Sequence, residues 1–229
     1  MCLILLAWRR DPAFPLVVAA NRDEFHARPA ARAGFWDDAP AVLAGRDLEA
    51  RGTWMGVSRS GRFAAVTNFR GAREPRAVES RGALVAGFLL GDSSPEGFVT
   101  SLESRKNGYS GFNLLACDGG ELWWLSNRDG APRRLAPGVY GLANDLLDTP
   151  EVGEPKARFE RALEPAPALE TLFDVLRASH IVGPQYGTRC ATLLLRGADG
   201  VARYAERAFD PGGREGTTLR FEIPPGAGR

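Results

Sequence analysis

Cys2 precedes an unbroken apolar run, Leu3 to Trp8, and follows an initiator Met of the kind trimmed when the second residue is small. With Met1 removed, one residue would carry both a thiol and a free α-amine. A thiol of pKa about 8.5 is little ionised at neutral pH, an amine of pKa about 8 can take its proton, and a neighbouring guanidinium favours the thiolate. Nucleophile and base would then reside on Cys2. Retained Met1 turns that amine into an amide with no basicity. The competing reading is a small hydrophobe opening a buried strand.

The next apolar run, Leu16 to Ala20, is followed by Asn21-Arg22-Asp23-Glu24. In an antiparallel hairpin the start of one strand lies beside the end of its partner. Arg22 and a carboxylate, Asp23 or Glu24, are therefore expected at the strand terminus within reach of Cys2. An ordinary solvated turn is the alternative. Asn68 and Arg70 follow the strand expected over 63–67, and Arg189 precedes that over 191–195. A sandwich gathers such ends along one rim, where a substrate cleft can form. With Asn21 and Glu24 they are the candidate substrate-binding residues. Arg189 suits bidentate capture of a carboxylate, or a structural ion pair.

The elements that position these groups read as hairpins and helix pairs. Strands are expected over 2–8, 16–20, 53–57, 63–67, 112–117, 121–126, 139–144, 188–195 and 201–208, with an edge strand over 218–223. Helical spacing begins at Ser80 and runs through Leu90, and recurs over 95–106, 156–163 and 169–178. The order gives an α+β class of antiparallel sheets flanked by helices, without βαβ crossovers. A single domain over 1–229 is expected, with a frayed Pro/Gly tail after about residue 223.

Composition narrows the partners. Lys and Arg total 29 against 28 Asp and Glu, a net charge of +1, and the Arg alternate with acids instead of forming blocks. Nucleic acid is not expected as a partner. No run approaches a membrane span or a secretory signal, so no stable membrane insertion and a cytoplasmic location are expected. The three cysteines form no CxxC pair, and His26 and His180 lack ligand spacing, so neither disulfides nor a metal are expected. Glycine-rich phosphate loops are absent.

Seven blocks carry a resemblance: Met1-Cys2, Asn21-Arg22-Asp23-Glu24, Gly45-Arg46-Asp47 leading to Gly52-Thr53-Trp54, Thr67-Asn68-Phe69-Arg70, Ser80-Arg81-Gly82, Tyr140-Gly141-Leu142-Ala143-Asn144 and Tyr186-Gly187-Thr188-Arg189. In this order they resemble the NRDE family, also called the transport and Golgi organisation family. Arg51 stands where that family often has a second Gly, and Ala143 where Ser is common. The family in turn resembles N-terminal-nucleophile hydrolases, which implies a four-layer αββα sandwich. It also implies Cys2 as nucleophile, Arg22 and Asp23 as its orienting pair, and Asn144 as an oxyanion donor. The implied activity is hydrolysis of an amide or related acyl group in a small-molecule substrate. The alternative it implies is a non-enzymatic carrier of haem or a lipid/acyl ligand, with haem as transported ligand and no resident cofactor.

Overall fold

The computed structural model describes residues 2–71 and 79–226. In chain order its elements are β1 (Leu3–Asp11), β2 (Phe14–Phe25), β3 (Ala30–Trp36), β4 (Ala39–Asp47), β5 (Met55–Ser58), β6 (Phe63–Asn68), α1 (Arg81–Leu90), α2 (Pro95–Ser101), β7 (Phe112–Cys117), β8 (Leu122–Ser126), β9 (Arg133–Arg134), β10 (Gly138–Leu142), α3 (Gly153–Ala162), α4 (Leu169–Arg177), β11 (Tyr186–Arg196), β12 (Ala202–Phe209) and β13 (Glu215–Ile223). The strands form two antiparallel sheets, one ordered β10-β1-β2-β11-β12-β13 and the other β3-β4-β5-β6-β7-β8-β9. The α+β class and the antiparallel sheets match the sequence expectation. The chain divides into two compact units, 1–28 with 137–143 and 147–225, and 29–136 with 144–146 and 226–229.

In the first unit, alternate positions of the sheet form a core with the helices. Leu3, Leu5, Ala7, Val17, Ala19, Ala191 and Leu193 meet Phe159 of α3 and Leu172, Phe173 and Leu176 of α4. The intervening positions, Ile4, Leu6, Trp8, Leu16, Val18 and Leu194, are buried as well. A strand buried on both faces has no polar alternation, which is why 2–8 reads as one apolar run. Two polar attachments fix α4. Asn21 Nδ2 donates to the Leu176 carbonyl at 2.9 Å. Arg207, 8% exposed, reaches Glu170 at 2.7 Å and lies 4.1 Å from the centre of the Phe173 ring.

The second unit packs α1 and α2 on its own sheet, with Leu84, Val85, Phe88 and Val99 against Val42, Ala64, Phe112 and Leu114. Ser80 and Ser94 cap the helices, accepting from Gly82 N–H and Gly97 N–H at 3.3 and 3.1 Å. Arg51 adopts φ +64, the left-handed region that glycine favours.

Several boundaries differ from those read in the sequence. β3 and β4 are additional strands: register shifts at Ala31/Gly34 and Phe35/Trp36 break the period of two that marks a strand. Strand β2 runs on to Phe25, because β11 pairs with it as far as Tyr186 opposite Phe25. Asn21 to Glu24 therefore lie inside β2 and not in a turn after it. Helix α2 stops at Ser101, short of the expected 106.

Two of the sequence blocks meet at a glycine contact. A Cβ on Gly52 would stand 2.4 Å from the Gly82 carbonyl carbon, at the start of α1. Gly52→Ala is expected to cost about 1 to 3 kcal/mol by overpacking, read as a lowered Tm. Gly130→Ala, whose methyl would find nothing within 4 Å, should leave Tm unchanged.

Candidate functional site around Cys2

The β1–β2 ladder places Leu3 opposite Asn21, so Cys2 arrives beside Arg22 and Asp23. Asp23 N–H donates to Cys2 Sγ at 3.4 Å, and the thiol donates back to the Asp23 carbonyl at 3.5 Å. Both backbone groups of one residue thus hold the sulfur. Cys2 is half-buried, and burial pushes its thiol pKa up. The Asp23 N–H opposes that rise, the Asp23 carboxylate adds to it, and the Arg22 guanidinium opposes it more weakly.

Arg22 is 7% exposed and lies opposite Cys190 of β11. Its guanidinium is 3.9 Å from Glu24 Oε2, and the same oxygen is 3.9 Å from Arg28 Nε. Asp23 is 4% exposed. Its Oδ1 accepts from Thr188 Oγ1 at 2.6 Å, and its backbone carbonyl also accepts from the Tyr186 hydroxyl at 3.2 Å. The two acids thus have different surroundings: Asp23 flanks the sulfur, whereas Glu24 engages Arg22, Arg28 and the Phe25 N–H.

The remaining expected residues separate. Asn21 turns its amide nitrogen to the end of α4. Arg189 donates to the Phe25 and Arg28 carbonyls at 2.9 and 3.2 Å, tying down the chain that leaves β2. The other three cluster in the second unit. Asn144 Nδ2 donates to the Asn68 carbonyl at 2.8 Å, and Arg70 N–H donates to the Asn144 carbonyl at 2.6 Å. His26 Nε2 lies 2.9 Å from the Gly183 carbonyl, and His180 packs on Phe209 with ring centres 4.2 Å apart.

Sequence reasoning did not single out Tyr186, Thr188 or Cys190 as members of the site. Tyr186 and Thr188 sit in the last of the seven blocks, and that block was the available signal. Their approach to Asp23 depends on a register shift between Thr188 and Cys190, which no spacing in the sequence announces.

Comparison with known proteins identifies relatives along nearly the whole chain. The family model described as Transport and Golgi organisation 2 matches residues 1–183. A Transport and Golgi organization protein 2 homolog from Bos taurus is 34% identical, covering 97% of this chain and 99% of its own. The Homo sapiens homolog is 33% identical over 91% of this chain and 93% of its own. Among solved structures, two variants of the conjugated bile acid hydrolase from Clostridium perfringens align with TM-scores of 0.54 and 0.56. Each is 11% identical and covered over 98% of both chains, a likeness of fold. Among the described residues no helix is long and apolar enough to cross a membrane.

The raised thiol pKa sets a direction for reactivity. While Met1 is retained, alkylation of Cys2 by iodoacetamide should be slow at neutral pH and climb with a midpoint above the ordinary thiol value of about 8.5. Cys117 and Cys190, both buried, should react more slowly still. Peptide-resolved mass spectrometry across the alkaline range reads all three.

Proposed function

We propose a function from one premise: the chain belongs to the Transport and Golgi organisation 2 family, and its fold is like that of the conjugated bile acid hydrolase. The function is hydrolysis of an amide or related acyl bond by Cys2, exposed as the first residue once Met1 is removed. The observation that carries it is the grip of Asp23 on Cys2 Sγ through N–H and carbonyl, with Arg22 on the same strand. The two hydrolase structures support it, since one is of a cysteine-to-alanine mutant and the other of an arginine-to-leucine variant.

The steps follow from the groups present. The Cys2 α-amine takes the thiol proton, and Sγ attacks the acyl carbon. The tetrahedral adduct collapses as the C–N bond breaks, and the leaving amine takes the proton from the α-ammonium. A thioester on Cys2 remains. Water, deprotonated by the same α-amine, attacks it, releasing the carboxylic acid and restoring the thiol. Asp23 N–H, 3.4 Å from the sulfur, favours the thiolate throughout. Arg22 adds positive charge from a buried position, where screening by solvent is weak. With Met1 in place neither the base nor the step exists, and the elevated thiol pKa keeps the thiolate scarce at neutral pH.

Mass and labelling test this reading. The purified protein should lack the mass of Met1. An electrophilic acyl probe should then label Cys2 in preference to Cys117 and Cys190, and Cys2→Ala should abolish the labelling. An N-terminal extension that blocks the amine should slow Cys2 labelling by about 10² to 10⁴, the usual worth of a positioned base. Equal labelling of all three thiols, or a mass retaining Met1, would sink the hydrolase and leave carriage of haem or a lipid/acyl ligand as the family reading to pursue.

A further inference from the structure

The strand beside β2 holds Asp23 at two points. Tyr186 and Thr188 are two positions apart on β11, so both side chains leave the strand on one face. The Tyr186 hydroxyl donates to the Asp23 carbonyl at 3.2 Å, and the Thr188 hydroxyl donates to Asp23 Oδ1 at 2.6 Å. The direction of the second bond is fixed. Thr188 Oγ1 already accepts the Ile181 N–H at 2.9 Å, so its single proton goes to the carboxylate. The backbone of Thr188 is held as well, since its N–H donates to the Ile181 carbonyl at 2.9 Å.

These contacts bear directly on the sulfur. The carbonyl that receives the Tyr186 hydroxyl is the one that receives the Cys2 thiol proton. A carbonyl oxygen facing sulfur favours the protonated thiol and disfavours the anion. A second donor on that oxygen draws off part of its negative charge. The Asp23 carboxylate likewise disfavours a nearby thiolate, and the Thr188 hydroxyl spreads that charge while fixing the carboxylate's orientation. We propose that Tyr186 and Thr188 are positioning residues that set the ionisation of Cys2 by acting through Asp23.

Other charged and titratable groups at this end of the sheet are the N-terminal amine and Arg22 on β2, which act on Cys2, the Cys190 thiol on β11, and His180 after α4, on which Asp23 acts. The register shift between Thr188 and Cys190 is what separates the two groups of side chains. It leaves Thr188 opposite Asp23 and Cys190 opposite Arg22, although an uninterrupted strand would aim Thr188 and Cys190 to the same face.

The proposal rests on Cys2 as nucleophile, yet its test requires no turnover. The pH profile of Cys2 alkylation by iodoacetamide is measured on the full chain and its variants, with Cys117 and Cys190 read in the same digests. Tyr186→Phe and Thr188→Val should each raise the Cys2 midpoint by about half a unit to one unit, slowing alkylation about three- to tenfold below it. Thr188→Ser, which keeps the hydroxyl, should restore the original profile. Superimposable profiles for Tyr186→Phe and Thr188→Val overturn the proposal. So does faster alkylation of all three cysteines together, which signals a loosened fold. Shifted midpoints in a protein that no acyl probe labels would sink the hydrolase reading alone. Labelling with unshifted midpoints would sink the Tyr186 and Thr188 proposal alone.

Discussion

The antiparallel pairing of β1 with β2 is the constraint on which the rest depends. A tight connection between Asp11 and Phe14 closes the hairpin, the register shifts between Asp11 and Trp8, and from Trp8 opposite Leu16 the ladder runs unbroken to Leu3 opposite Asn21 at the far end. Slippage by one residue would turn every side chain of β1 to the other face, exchanging the Leu3, Leu5 and Ala7 row with the Ile4, Leu6 and Trp8 row. Both rows are buried, so volume and shape, more than polarity, must hold the register. The Cys2 sulfur is located by this pairing and by the two backbone groups of Asp23.

Several polar side chains of the first unit tie the elements around the site together. Asn21 is 3% exposed and gives its amide proton to the Leu176 carbonyl at the end of α4, which also accepts the Ser179 N–H. Arg207 extends from β12 to Glu170 in the first turn of that helix, where a carboxylate also complements the helix dipole. Helix α4 is thus attached near both ends to the strands that hold the site. Arg189 does the same for the chain leaving β2, through the carbonyls of Phe25 and Arg28. Asn21 and Arg189, chosen from the sequence for their chemistry, serve here to hold backbone in place.

Much of this was legible in the sequence because the physics was local. Apolar runs gave β1, β2 and the central strands, and helical spacing from Ser80 and from Pro95 marked helix starts that the structure shows capped by Ser80 and Ser94. The hairpin argument brought Arg22 and a carboxylate toward Cys2 without reference to any other protein, but left the choice between Asp23 and Glu24 to the family resemblance. What was not legible depends on register. β3 and β4 escaped because their pairing shifts twice within seven residues of β3, so neither strand keeps an alternating pattern. Arg22 was expected at a strand terminus because a run of charge after five apolar residues looks like one, yet β11 covers it and leaves it 7% exposed.

The same irregularity that hides a feature from the sequence can create it. Strict alternation would give β11 one face for Tyr186, Thr188 and Cys190 together. The shift at Arg189 divides them, setting two hydroxyls on Asp23 and a buried thiol opposite Arg22. Asp23 is then approached from both neighbouring strands, by Cys2 at the start of β1 and by two hydroxyls from β11. Its backbone is common to both sets of bonds, so a change of protonation at the sulfur is felt by the carbonyl that Tyr186 also holds. An aspartate gripped from two sides has little freedom to turn, and fixed surroundings are what the proposed nucleophile, carrying its base on its own backbone, would require.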